Sequence, residues 1–263
     1  MLNHQQLAQE HHQQRKSYDL YAKRRFYRAL REMVTPVLVD NKLQVQSDPM
    51  QRAYEDVYAF VGIDSARREF LAIKKREATV KADIGIQLLL NTWNLWIRSY
   101  VQANLAQMIR DVTQNTQDKI NEALQESLSK GLTRRQTAEL IYQKTLGEIG
   151  RRRASLIGIT ESTTASNIGK LKSGKDYGQL IGVEMYKKWL NVSRPTERHT
   201  HEFQNEAPPI SEYQPFHVIN EATGGVNLMF TPGDLTAPAS QRCNCACTMI
   251  LMSKRFAERN YSL

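Results

Sequence analysis

Cysteine is scarce in this chain: there are three, Cys243, Cys245 and Cys247, all within five residues. That rules out a disulfide framework and points to synthesis in a reducing cytoplasm. Long apolar runs are also missing. The most apolar stretch, Ile84–Ile97, is too short for a bilayer and carries two asparagines, so no membrane partner is expected. Met1–Gln14 is polar, rich in Gln and His, and lacks the apolar core of a secretory leader. No H-E-x-x-H, Walker or serine-elbow signature occurs, which removes the familiar metalloprotease, nucleotide-hydrolase and serine-hydrolase classes.

What is present is a basic, helix-rich chain. Its 263 residues carry a net charge of +9, a balance that suits an acidic partner such as nucleic acid, an acidic protein surface or an anionic membrane. The patterning predicts an α+β protein in which the N-terminal two thirds is mostly long helices and the C-terminal part is a small irregular α+β domain. Four segments follow: a basic arm over 1–49, a long-helix region over 50–130, a compact domain over 131–252 and a tail over 253–263.

In the arm, Tyr18, Tyr21, Arg25 and Arg28 fall at helical spacing, as do Leu20, Arg24, Tyr27 and Leu30. Aromatics interleaved with Lys23, Arg24, Arg25 and Arg28 fit a helix lying along phosphates. They fit equally a solvated helix whose tyrosines pack on the body. Val34–Val39, with Pro36 inside, reads as an extended break. Further on, Tyr54, Val57, Tyr58 and Val61 form one stripe ending in a turn near Gly62–Asp64. From Glu77 to Leu128 there is no proline and one glycine, so a single helix about 75 Å long is expected at 1.5 Å per residue. Thr133 and Gln136 have capping-box spacing ahead of a short helix. The next helix opens on the basic cluster Arg151, Arg152 and Arg153 and has few apolar positions. Within it, Glu161 sits among small residues, either held by an Arg or His or exposed to solvent. Periodicity then changes, and VEMYKKWLN reads as a strand.

The turn-rich remainder needs a staple, and the cysteines fall within it. Alternate positions on an extended segment would line the three sulfurs on one side. Three readings fit them: small buried side chains, a metal site completed by His201 or His217, or redox and nucleophilic chemistry. Zinc suits mixed thiolate and imidazole ligands, which singles out His201, Cys245 and Cys247.

Over residues 130–250, about half its length, the chain resembles the phage Mu F-like minor head proteins, the head-morphogenesis family. The resemblance rests on an ordered set of short motifs. These are the capped helix GLTRRQTAELIYQKT, then Thr160-Glu161 with Ala165, Asn167 and Gly169, and a strand ending at Trp189. Arg198, His201 and Asn205 come next, then Pro232-Gly233-Asp234, and finally Asn244-Cys245-Ala246-Cys247-Thr248. His199 stands where the family has Pro, Glu206 where it has Gly, and Ala246 where it has Arg, while Cys243 is an added thiol. The resemblance implies a shared structural site of Glu161, Arg198, Asn205, Asp234 and Asn244 around the zinc-type ligands. It implies no catalytic residue. The implied role is a minor capsid protein, made in the host cytoplasm and housed inside the virion head. Its implied partners are the portal protein, the major capsid protein or scaffold, and double-stranded DNA contacted without regard to sequence. The alternative is a zinc-dependent or thiol hydrolase acting in the head, with Glu161 as base.

Overall fold

The computed structural model describes residues 4–40, 44–77, 86–191, 198–220 and 223–261. Helices dominate: α1 (His4–Asp40), α2 (Asp48–Val57), α3 (Ile63–Arg76), α4 (Ile86–Lys130), α5 (Arg134–Thr145) and α6 (Glu148–Ile181). The strands come afterwards: β1 (Met185–Leu190), β2 (Ile210–Ser211), β3 (Phe216–Ile219), β4 (Val226–Met229) and β5 (Thr248–Ser253). Short helices α7 (His199–Glu206), α8 (Ala239–Arg242) and α9 (Lys254–Asn260) lie among and after them. The architecture is the mostly helical α+β arrangement that the patterning implies.

Three local expectations need correction. Pro36 lies inside α1, which runs unbroken to Asp40. The lost amide hydrogen bond and ring clash are offset by burial of Met33, Val34 and Val37 on the core. Gly62 marks no turn. Tyr58–Gly62 form one π-helical turn that joins α2 to α3 without a break. Gly62 and Gly169 are instead where that turn meets α6, for a Cβ on Gly169 would stand 2.1 Å from the Gly62 carbonyl oxygen. The long helix does not start at Glu77, which ends α3 with non-helical backbone angles; its described part begins at Ile86.

Other expectations hold. The Tyr54, Val57, Tyr58, Val61 stripe is buried, as are Leu89, Trp93, Ile97, Val101 and Met108 of α4. Thr133 and Gln136 bond reciprocally as a capping box. The main core draws side chains from α1, α2, α4, α5 and α6, so α1 is packed into the body through Tyr18, Ala22, Phe26 and Leu30.

The sheet is antiparallel in the order β2-β1-β5, and β3 and β4 form a separate hairpin. Both faces of β5 are covered: Met249 and Leu251 face Phe70, Trp93 and Tyr177, while Ile250 and Met252 face α9. As an edge strand, β5 leaves main-chain groups unpaired, a hazard that proteins must cover. Helix side chains cover them here. Asn167 accepts from the Met249 amide (3.2 Å), Lys170 donates to the Met249 carbonyl (3.3 Å), and Glu69 accepts from the Leu251 amide (3.0 Å). Arg76 donates to the Leu251 carbonyl (2.7 Å), and Glu77 accepts from the Ser253 amide (3.0 Å).

Candidate metal centre and the helix that carries it

The centre is built on one face of α6. Thr160, Thr163, Thr164, Asn167 and Lys170 recur at three- and four-residue steps, so their polar ends form a single row. The row reads the main chain of the two turn-rich motifs. Thr160 Oγ1 accepts from the Asn244 amide (2.9 Å), Thr163 donates to the Cys245 carbonyl (2.6 Å), and Thr164 donates to the Gly233 carbonyl (2.7 Å). Asn167 Nδ2 donates to the carbonyls of Pro232 (3.0 Å) and Cys247 (3.1 Å). Arg15, far away in sequence, reaches in from α1 to donate to the Ala246 carbonyl (2.8 Å) and to Thr163. Gly233 has φ +80°, which favours glycine, and a Cβ there would press on Thr164.

Glu161 is buried (2% exposed) rather than solvated. Its carboxylate accepts from Tyr58 Oη (2.7 Å) and from Arg242 (3.0 Å). Burial pushes its pKa up, against the opposing pull of the Arg242 guanidinium and the Tyr58 hydroxyl. The same burial, with Glu161 beside it, drives the Tyr58 phenol well above its usual value.

The three cysteines do not line one side. Asn244 has φ +58°, which breaks the extended run after Cys243 and leaves that thiol exposed. Cys245 and Cys247 turn inward onto His201. Their sulfurs stand 3.6 and 3.5 Å from His201 Nδ1, and one donor atom from each of the three residues lies within 4.8 Å of the others.

The imidazole orientation follows from a relay. Gln241 Nε2 donates to the Ile219 carbonyl (3.1 Å), so its Oε1 faces His201 Nε2 at 2.9 Å and must accept from it. With Nε2 engaged by Gln241, Nδ1 faces the two sulfurs. Metal-binding histidines are set up in this way, by a hydrogen bond to the other ring nitrogen. Trp189 packs edge-on to the ring at 5.3 Å between centroids. The neighbouring Cys247 thiol, and then the His201 ring, hold Cys245 well below the usual thiol pKa against the effect of burial.

The other expected site residues serve the surrounding loops. Arg198 precedes α7 and donates to the Cys243 carbonyl (2.8 Å). Asn205 accepts from the Asn191 amide (3.3 Å), and its carbonyl takes Lys188 Nζ (2.9 Å). Asp234 ties its own turn, accepting from the amides of Phe230 (2.7 Å) and Thr236 (2.9 Å). His217 is exposed on β3, outside the cluster. Among the basic residues, Lys23, Arg24, Arg28, Arg151 and Arg152 are exposed. Arg25 pairs with Asp56 (3.1 Å), Arg152 with Glu148 (2.6 Å), and Arg153 folds toward Thr116 (3.3 Å). The residues that sequence reading missed are Gln241, Arg15 and the hydroxyl row. The row's spacing was a usable signal, hidden because a stripe is ordinarily sought among apolar residues.

No family model, curated protein or solved structure matches this chain. Among the described residues, no helix is long and apolar enough to cross a membrane.

Proposed function

We propose that this chain is a minor head protein of a tailed bacteriophage, a structural bridge between the portal or capsid shell and the packaged genome. The observation that carries the reading is the interlock of the resembling motifs. Thr160, Glu161 and Asn167 on α6 are among the residues that bond the Pro232-Gly233-Asp234 turn and the 242–248 segment. A motif set whose members hold one another is what a shared fold requires. Exposed Lys23, Arg24, Arg28, Arg151 and Arg152 supply phosphate contacts that need no base sequence.

Zinc at His201, Cys245 and Cys247 is the staple in this reading. Ligands on one tetrahedral zinc, at roughly 2.3 Å to sulfur and 2.0 Å to nitrogen, stand about 3.5 Å apart, which the sulfur–nitrogen spacings match. When bound, the metal would cross-link α7 to the strand-leading segment before β5. Exposures of 1% for His201, 3% for Cys245 and 0% for Cys247 favour structural over hydrolytic use, because a substrate has no approach to the ligands. Mass spectrometry of purified phage heads and procapsids tests the role. Recovery in a few copies per head is expected, and absence from both particles overturns the proposal.

A further inference from the structure

The hairpin of β3 and β4 keeps one strand edge open. In an antiparallel ladder bonded and non-bonded pairs alternate, and residues of a non-bonded pair turn their main-chain groups away from the partner strand. Asn220 donates to the Gly225 carbonyl (2.7 Å), so those two form a bonded pair. In the register that follows, Ile219 with Val226 and His217 with Leu228 must face outward. On β3 the outward carbonyls are covered: Gln204 donates to His217 (2.7 Å) and Gln241 to Ile219 (3.1 Å). On β4 the edge is closed at Phe230, whose amide bonds Asp234 (2.7 Å) and whose carbonyl accepts from Lys187 (2.9 Å). Among the described residues, β4 has β3 as its one strand neighbour, and nothing bonds the outward amides and carbonyls of Val226 and Leu228. An edge left in this state is a template for another strand. The edge of β5, by contrast, is covered by helix side chains.

The side chains beside this edge are apolar and wet. Ile219, Val226, Leu228 and Phe230 alternate with buried Val218 and Met229, and each is between 45% and 57% exposed. We infer that β4 pairs with β4 of a second copy of this chain, antiparallel about a two-fold axis at Asn227. That register sets Val226 opposite Leu228 of the copy, and Leu228 opposite its Val226. Each of these pairs exchanges two hydrogen bonds, so every open group on both edges is satisfied. A neighbouring register would instead call on Phe230 or Gly224, whose amides are already bonded. The closed end at Phe230 meets Gly224 of the copy, which brings no side chain to obstruct it. Charge favours a copy as the occupant. Neither strand, FHVI or VNLM, carries an Asp, Glu, Lys or Arg, so a chain of net charge +9 meets itself here without like charges opposed. The four apolar side chains offer roughly 400 Å² per copy, a size that marks interaction sites and is about half of what a standard interface buries per partner. That area suits a weak, reversible dimer rather than an obligate one. The pairing rests on neither the metal nor the virion role.

Sedimentation equilibrium of the full chain over rising concentration is the direct assay. A reversible dimer in the micromolar to millimolar range is expected, with the Val226 and Leu228 amides slowing in hydrogen exchange as it forms. Leu228→Pro removes an outward amide that the β3–β4 ladder does not use, and proline is tolerated on edge strands. It should weaken the dimer at least tenfold, and more than Leu228→Ala, which trims the same side chain but keeps the amide. Leu228→Lys changes a side chain exposed in the monomer and brings two ammonium groups to diagonal positions across the new ladder. It should weaken the dimer at least tenfold with the melting temperature unchanged, and it decides the matter should the proline variant fail to fold. A monomer at every concentration leaves the edge to a different chain and overturns the inference. So does a dimer that Leu228→Lys leaves intact, or one that the proline and alanine variants weaken equally.

Discussion

Replacing Arg242 by methionine isolates the buried charge that joins α6 to the cysteine segment. Glu161 and Arg242 side chains are 3% and 17% exposed and meet at 3.0 Å, so the wild-type pair is nearly dry. Methionine keeps much of the volume and removes the charge, leaving the carboxylate with Tyr58 alone. Breaking a buried pair from one side typically costs about 3–5 kcal/mol, because the remaining charge is uncompensated. The expected loss near neutral pH is in that range. The pH dependence has a definite sign. Burial already raises the Glu161 pKa in the wild type, and without the guanidinium it rises further. Protonation then removes the uncompensated charge, so the variant's deficit must shrink as pH falls from about 7.5 toward about 5. Urea unfolding of both proteins at each pH, read as the difference between them, gives the number. Adding Glu161→Gln should restore part of the loss, and the double-mutant cycle measures the coupling. A deficit under about 1 kcal/mol at the higher pH, or one indifferent to pH, would refute a buried ion pair as the link.

Metal content comes next: protein purified without chelator should carry one zinc per chain, and Gln241→Leu should lower metal affinity by about 10–100-fold by freeing the His201 ring. Cobalt substitution followed by its thiolate absorption reads this directly, and metal-free protein of full stability would exclude the staple. Two lysines predict an alkaline gain in stability. Burial lowers Lys187 to about 7 and Lys170 to about 8, both below the unfolded value, so the unfolded chain binds more protons between those values and about 10. Stability should therefore climb through that window, each lysine adding at most about 1.4 kcal/mol per pH unit. Lys187→Met should flatten the climb in chemical denaturation, and an unchanged slope would count against it.

Much of the helical architecture was legible because it is written locally. The capping box at Thr133 and Gln136 needs only its own four residues, and the buried stripe of α4 repeats at a regular period. What misled were residues whose reason lies elsewhere in the fold. Gly62 looks like punctuation, yet a Cβ there would stand 2.8 Å from Ile97 of α4, and its carbonyl lies where Gly169 of α6 comes close. Pro36 looks like a stop, yet core burial on either side of it keeps the helix going. The alternation of the cysteines implied one shared face until a single positive φ at Asn244 turned Cys243 away. Of the candidate metal cluster, His201, Cys245 and Cys247 were readable from residue type and order. Gln241 was not, since its role depends on the Ile219 carbonyl behind it.

The threonine and asparagine row of α6 also has a history in time. Asn167 leaves the ribosome 80 residues ahead of Cys247, the residue whose carbonyl it will hold. At about 5–20 residues per second, translation leaves that helix without its strand for on the order of ten seconds. During that interval a face rich in hydroxyls, amide and ammonium is wetted rather than sticky. That face therefore needs no apolar cover before the final strand arrives to dry it.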